Sequence, residues 1–141
     1  MEKLDYKVFK VFNSNKKILF SDDFNLVSKR NFFKTEFLLF NLDSVLIHKS
    51  VFFRFNLLSL QLFLFNYGVI GNCWTSESMR GQGIYGKMID YILNDVKRSC
   101  ILFVDIENES SIKGIKRIGG VEIYHYKIYR FFRLIAFFFK A

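Results

Sequence analysis

The sequence predicts one α/β domain: a strand, a glycine turn, a helix, a strand, a second helix and a strand, with several more strands ahead of them. Three observations carry this. Apolar residues recur at helical spacing from Ile84 to Val96, the strongest amphipathic pattern in the chain. A compact apolar run, Ile101 to Ile106, and a long aromatic one, Val121 to Phe132, flank a short helical stripe that ends on Gly119-Gly120. The length of 141 residues is that of one ordinary domain, and no linker or repeat divides it.

Taken in order, Tyr6 to Phe12 and Lys17 to Phe20 read as short strands around the turn Asn13-Ser14-Asn15, and Asp22 to Ser28 as a polar loop. Asn31 to Phe40 fits neither period cleanly, so helix and strand both stay open there. Ser44 to Val51 reads as a strand. So does Leu57 to Phe65, where Leu58, Leu60, Leu62 and Leu64 share one face while Ser59 and Gln61 begin the other. Asn66-Tyr67-Gly68 supplies a turn into a strand over Val69 to Thr75. In the helix after the glycines, Ile84, Met88 and Ile92 form the stripe, and Tyr85, Ile89, Leu93 and Val96 widen it. Asn108 to Ile118 places Ile112, Ile115 and Ile118 on one side of a second helix.

Composition bounds the rest. Apolar residues make up 51% of the chain, with 19 phenylalanines and no proline, which supplies a sizeable core and argues against disorder. The formal charge is +8, and it is dispersed: residues 1–79 hold 10 basic and 7 acidic side chains, residues 80–141 hold 11 and 6. Such a surface suits anionic partners, but no DNA or RNA motif is present, so no specific nucleic acid is expected. Cys73 and Cys100 have no metal or redox spacing, so no metal site is expected and a reduced, cytoplasmic chain fits. The charged N-terminus lacks the apolar run of a signal peptide. Val51 to Ile70 is rich in Phe and Leu but is broken by Arg54, Asn56, Ser59, Gln61 and Asn66. A spanning helix needs about 20 mostly apolar residues, so no transmembrane segment is expected. The closing R-F-F-R-L-I-A-F-F-F-K-A is too short to span and reads as a strand end or partner contact.

The stretch Ser78 to Ile92 places Gly81 and Gly83 at the mouth of the principal helix, just behind Arg80. The first turn of a helix has N–H groups without intrahelical partners and a positive dipole end, and a phosphate satisfies several of them together. Glycines keep side chains out of its approach. Arg80 and Lys87 add charge. A sharp strand-to-helix turn without a ligand recruits glycine too, and neither the P-loop lysine nor the three-glycine dinucleotide fingerprint is present.

The wider pattern, Val69 to Phe132, resembles the acyl-CoA-binding half of the GNAT superfamily of N-acetyltransferases. That family's signature, Arg/Gln-x-x-Gly-x-Gly/Ala between a strand and a helix, is met by Arg80-Gly81-Gln82-Gly83-Ile84 and departs at Tyr85. The form R-G-x-G-I-Y resembles a branch linked to amino-sugar acylation. Downstream, Asn108-x-x-Ser111 and Gly119-Gly120 are similar to the family's N-x-x-A/S helix and glycine close, with Gly120 where an aromatic normally stands. The resemblance implies a mixed, mostly antiparallel central sheet with a splayed strand pair and flanking helices, the N-terminal helical part being reduced here. Residues 1–66 would form the acceptor side, 67–132 the acyl-CoA half and 133–141 a C-terminal tail. It also implies acetyl-CoA, or another acyl-CoA, as the cofactor. Cys73, Trp74 and Thr75 would face its pantetheine, and Gln82, Gly83, Ile84 and Tyr85 its pyrophosphate. Arg80 and Gly81 would shape the turn, while Asn108 and Ser111 would meet the pantetheine or cap the second helix.

The implied reaction is direct attack of a small-molecule amine on the thioester, with an amino sugar linked to a nucleotide among the acceptors. Oxyanion stabilisation would fall to a strand N–H near Cys73 or Trp74. The family's tyrosine acid, seven residues after the Asn, is Ile115 here, and Tyr85, Tyr124, Tyr126 and Tyr129 are the remaining phenols. His48 and Glu77 are the candidate bases, His48 because its ordinary pKa suits proton abstraction, with a structural histidine as the competing reading. The shortened N-terminal half leaves two expectations: Asn31 to Phe40 forms one reduced helix, or the acceptor side is completed by a second subunit in a homodimer. A catalytically degenerate CoA-binding protein and a basic nucleic-acid or membrane-surface module are the alternatives.

Overall fold

The computed structural model describes residues 1–141 and contains one sheet of eight strands. In chain order these are β1 (Glu2–Val11), β2 (Phe24–Arg30), β3 (Lys34–Asn41), β4 (Leu46–Phe53), β5 (Gly68–Thr75), β6 (Cys100–Asp105), β7 (Val121–Phe131) and β8 (Leu134–Lys140). The helices are α1 (Leu57–Gln61), α2 (Ile84–Val96) and α3 (Glu109–Arg117). Across the sheet the order is β2-β3-β4-β5-β6-β1-β7-β8. Only β5 and β6 run parallel; every other neighbouring pair is antiparallel. The result is the mixed, mostly antiparallel sheet with flanking helices.

The first strand travels furthest from its chain neighbours. β1 lies between β6 and β7, with Tyr6 opposite Asp105 on one side and Tyr126 on the other. The β7–β8 hairpin therefore joins the sheet only through β1.

Helical periodicity decides which face is covered. The stripe Ile84, Met88, Ile89, Ile92, Leu93 on α2 is buried against Phe9, Phe37, Leu39, Ile70 and Leu102, and α3 adds Ile115 to the same core. Burying each such side chain contributes about 1.5–3 kcal/mol. On the opposite face a smaller cluster, Val8, Val69, Ile101, Tyr126 and Ile128, is roofed by Leu62 and Leu64.

Several expectations from the sequence are corrected. Leu57 to Phe65 is no strand: Asn56 caps a short helix, its side chain accepting from the Ser59 N–H at 3.2 Å. Leu62 and Leu64 are buried, but Leu60 is 43% exposed, so the four leucines do not share a face. Lys17 to Phe20 forms no strand either. That segment crosses α2, where the Phe20 ring meets Tyr91 at 6.1 Å, Lys87 lies over Phe20, and the Asn94 amide donates to the Lys16 carbonyl. Residues from Phe24 on, read as loop, pair along their whole length with β3, from Phe24 opposite Asn41 to Arg30 opposite Thr35. Asn31 to Phe40 contributes β3 and no reduced helix, and residues 133–141 are no tail, since β8 pairs with β7 there.

Candidate functional site

The candidate site begins where two strands part. β5 and β6 pair only at Gly68–Cys100 and Val69–Ile101, so the remainder of β5 has no partner on that side. At the same place β5 bulges. Val51 of β4 opposes Gly71 while Lys49 opposes Trp74, and Asn72, at φ 49°, is the residue that absorbs the extra length. A bulge re-aims the residues after it. Ile70 and Cys73 consequently pack into the same core beneath α2, which strict alternation would forbid.

Beyond β5 the chain makes a single 3-10 turn, Glu77–Met79, and then the glycine turn. Gly81 and Gly83 have φ of 77° and 75°, which is the primary reason both positions hold glycine. A Cβ at either would meet no atom within 4 Å, so the surface above them is open. Gly83 is the N-cap of α2 and gives no side-chain cap, and the first helical pairing is Lys87 N–H to the Gly83 carbonyl. The six N–H groups from Gly81 to Gly86 therefore have no protein acceptor.

These N–H groups head a cleft of about 610 Å³ between the free end of β5 and helices α2 and α3. Ten of the eleven predicted cofactor residues line it: Cys73, Trp74, Thr75, Arg80, Gly81, Gly83, Ile84, Tyr85, Asn108 and Ser111. Gln82 does not; its side chain turns back to the Ser78 carbonyl at 3.3 Å. Asn108 caps α3 by accepting from the Ser111 N–H at 3.2 Å, so its capping role is the one realised. Of the α3 wall, the sequence pointed to Asn108 and Ser111 but not to the cations. Lys113 and Arg117, four residues apart on one helix face, bring the cations of the cleft to four with Arg80 and Lys87, and no Asp or Glu lines it. Close contact holds this wall in place: a Cβ on Gly86 would stand 2.9 Å from Ile118 Cγ2, and one on Gly114 3.1 Å from the Tyr85 ring.

The two candidate bases do not reach the cleft wall. Glu77 is exposed in the 3-10 turn outside it. His48 stands behind β5, fully buried, with Nδ1 2.7 Å from Thr75 Oγ1 and Nε2 2.6 Å from Ser50 Oγ. Burial, with no carboxylate at the ring, lowers its pKa from 6.5 to about 4, so the imidazole is neutral at ordinary pH. The structural reading of His48 is the one this geometry fits. Burial likewise pushes the Cys73 thiol up to about 11, against a smaller opposing effect of the Ser50 hydroxyl, and an uncharged thiol is a poor nucleophile. Burial raises the Tyr85 phenol as well, helped by the neighbouring Cys73 and opposed by Ser111. Ile115, in the position of the family's acid, is a core residue. Tyr124, Tyr126 and Tyr129 belong to β7 and do not line the cleft; His125 is paired with Asp5.

A second, smaller cleft of about 370 Å³ lies at the other end of α2. Its cations are engaged: Arg30 pairs with Asp95 at 3.1 Å, Arg98 donates to the Asn66 carbonyl, and Arg54 lies over the Phe32 ring. The first cleft differs in its six N–H groups without an acceptor and in Arg117, which has no partner; of its other cations, Arg80 donates to the Thr75 carbonyl, Lys87 lies over the Phe20 ring and Lys113 pairs with Glu109 at 3.9 Å.

Among known proteins the fold has a match and the sequence has none: no protein-family model and no curated protein matches the chain. The X-ray structure of a Drosophila protein, a structural-genomics target, is similar with a TM-score of 0.60 and 13% identity, over 87% of this chain and 50% of that one. The chain thus spans half the length of that neighbour. Likeness at such identity shows the fold alone, a mixed sheet with flanking helices. No helix of the chain is long and apolar enough to cross a membrane.

Proposed function

We propose that this chain is a GNAT-type acyltransferase that binds acyl-CoA and transfers an acetyl or other short acyl group to a primary amine of a small molecule. One observation supports this above the others. The six unpaired N–H groups at the head of α2 open into the same cleft that β5 enters after leaving β6. The first feature fits a diphosphate and the second fits an extended arm lying beside a strand. The four cations of the cleft lining, Arg80, Lys87, Lys113 and Arg117, suit the same ligand.

When bound, acyl-CoA supplies an activated thioester. The chain's own contribution is to hold the diphosphate with the Gly81–Gly86 amides and the side chains of Arg80, Lys87, Lys113 and Arg117. The free edge of β5 would orient the arm, and a strand N–H near Cys73 or Trp74 would stabilise the oxyanion. Nucleotide-linked amino sugars are the first acceptors to try.

Acetyl-CoA is expected to raise the melting temperature of the intact protein, because a ligand of the folded state alone stabilises it by mass action. Arg117→Gln should reduce that shift with little effect on the melting temperature of the free protein, since Arg117 is exposed and the loss of one cation at the end of α3 costs only about 0.3–1 kcal/mol. Saturating acetyl-CoA and CoA that leave the wild-type transition unmoved defeat the proposal.

A second reading is favoured by one specific observation: no Asp, Glu or His lines the cleft. In this reading the chain binds CoA without turnover. Free thiol released across a panel of amines separates the two, its appearance supporting transfer.

A further inference from the structure

We infer that the Thr75 hydroxyl is an acceptor-only group in the cleft, its proton held by His48, and that it receives an amide N–H from the arm of the bound ligand. The inference rests on the acyl-CoA reading above, since that arm carries two secondary amides.

Thr75, His48, Ser50 and Cys73 form one chain of hydrogen bonds, assembled because the bulge at Asn72 turns Cys73 and Thr75 toward the β4 side chains. Cys73 Sγ lies 3.6 Å from the Gly71 carbonyl and donates to it, so it meets Ser50 Oγ, at 3.3 Å, as an acceptor. A serine has one proton. With that proton on the Cys73 contact, Ser50 faces His48 Nε2 as an acceptor, which places the ring proton on Nε2. Nδ1 is then bare, and Thr75 Oγ1 donates to it. A doubly protonated ring would need an acid beside it, and its neighbours are two hydroxyls and the Tyr85 ring at 6.5 Å.

Thr75 is thereby left with lone pairs only. Its backbone carbonyl is already taken by Arg80 Nε at 3.1 Å, so the hydroxyl is what it offers the cleft. The turn and the cations present donors for the anionic end of a ligand. Thr75 presents the complementary demand at the strand end, where a ligand must bring a donor. His48 is the positioning residue: it fixes the direction of the hydroxyl without touching the ligand.

Titration calorimetry with CoA and with ADP, which lacks the arm, tests this on the intact protein. Thr75→Val should weaken CoA binding about fivefold to tenfold, the worth of one hydrogen bond, and leave ADP binding unchanged. Thr75→Ser, which keeps the hydroxyl, should bind both ligands as the wild type does. Nitrogen-15 NMR of the free wild-type protein should show the Nε2–H tautomer of His48 at neutral pH. CoA affinity equal in Thr75→Val and wild type, or an Nδ1–H tautomer, overturns the inference while leaving the acyl-CoA reading intact. Should Thr75→Val not fold, the tautomer decides alone. Wild-type protein that binds neither CoA nor ADP removes the acyl-CoA reading and this inference with it.

Discussion

A neutral imidazole sealed from water makes stability depend on pH. His48 titrates near 6.5 in an unfolded chain and near 4 in the fold, so below pH 6.5 the unfolded state binds the extra proton. Stability is therefore complete above pH 6.5 and falls as the pH drops toward 4, by about 3 kcal/mol at the limit. Urea unfolding between pH 7 and 4.5 should show this loss, and His48→Gln should lack that part of the slope. The chemistry of this residue was only half legible in the sequence. A histidine in a strand-like run marks the position, but whether it meets solvent depends on Thr75, twenty-seven residues away, and on the bulge that brings Thr75 round. Gly81 and Gly83 were legible because positive φ and open backbone call for the same residue. Glu77 was misjudged since it stands exposed at the start of a 3-10 turn of which only Met79 lines the cleft.

Elements with a strong period or a clear cap could be read, and those with tertiary partners could not. α2 announces itself through its stripe, and α3 through Asn108 at one end and glycines at the other. α1 was missed because five residues give no helical period, though Asn56 ahead of Ser59 was the available cap signal. The bulge likewise had its sign, since Gly71-Asn72 is a pair that tolerates irregular backbone. The seam between α2 and α3 gives the prediction at this scale. Gly86→Leu should destabilise the fold by about 1–3 kcal/mol through overpacking against Ile118. It should also weaken ADP binding, as α3 carries Lys113 and Arg117 away from the turn. Urea unfolding and titration calorimetry read the two effects separately.

For the molecule as a whole, the fold class followed from the C-terminal half of the sequence, while the strand order did not. Nothing in Tyr6 to Val11 states that its neighbours are β6 and β7, because pairing across such separations is specified by complementary faces rather than by local pattern. Phe9 and Val11 enter the core under the helices and Val8 the core on the other face. Phe9→Ala should cost about 3–5 kcal/mol, a large share of the about 5–15 kcal/mol that holds a domain together. Chemical denaturation should show it lowering the midpoint of a single transition, with β7 and β8 released together with the rest. The position of β1 also sets an order of events during synthesis. β1 finds its neighbours only after residues 100–131 have been made, so the nascent chain must keep an apolar strand unengaged while all the residues between are added. Slowed elongation or a missing chaperone should therefore lower the yield of folded protein.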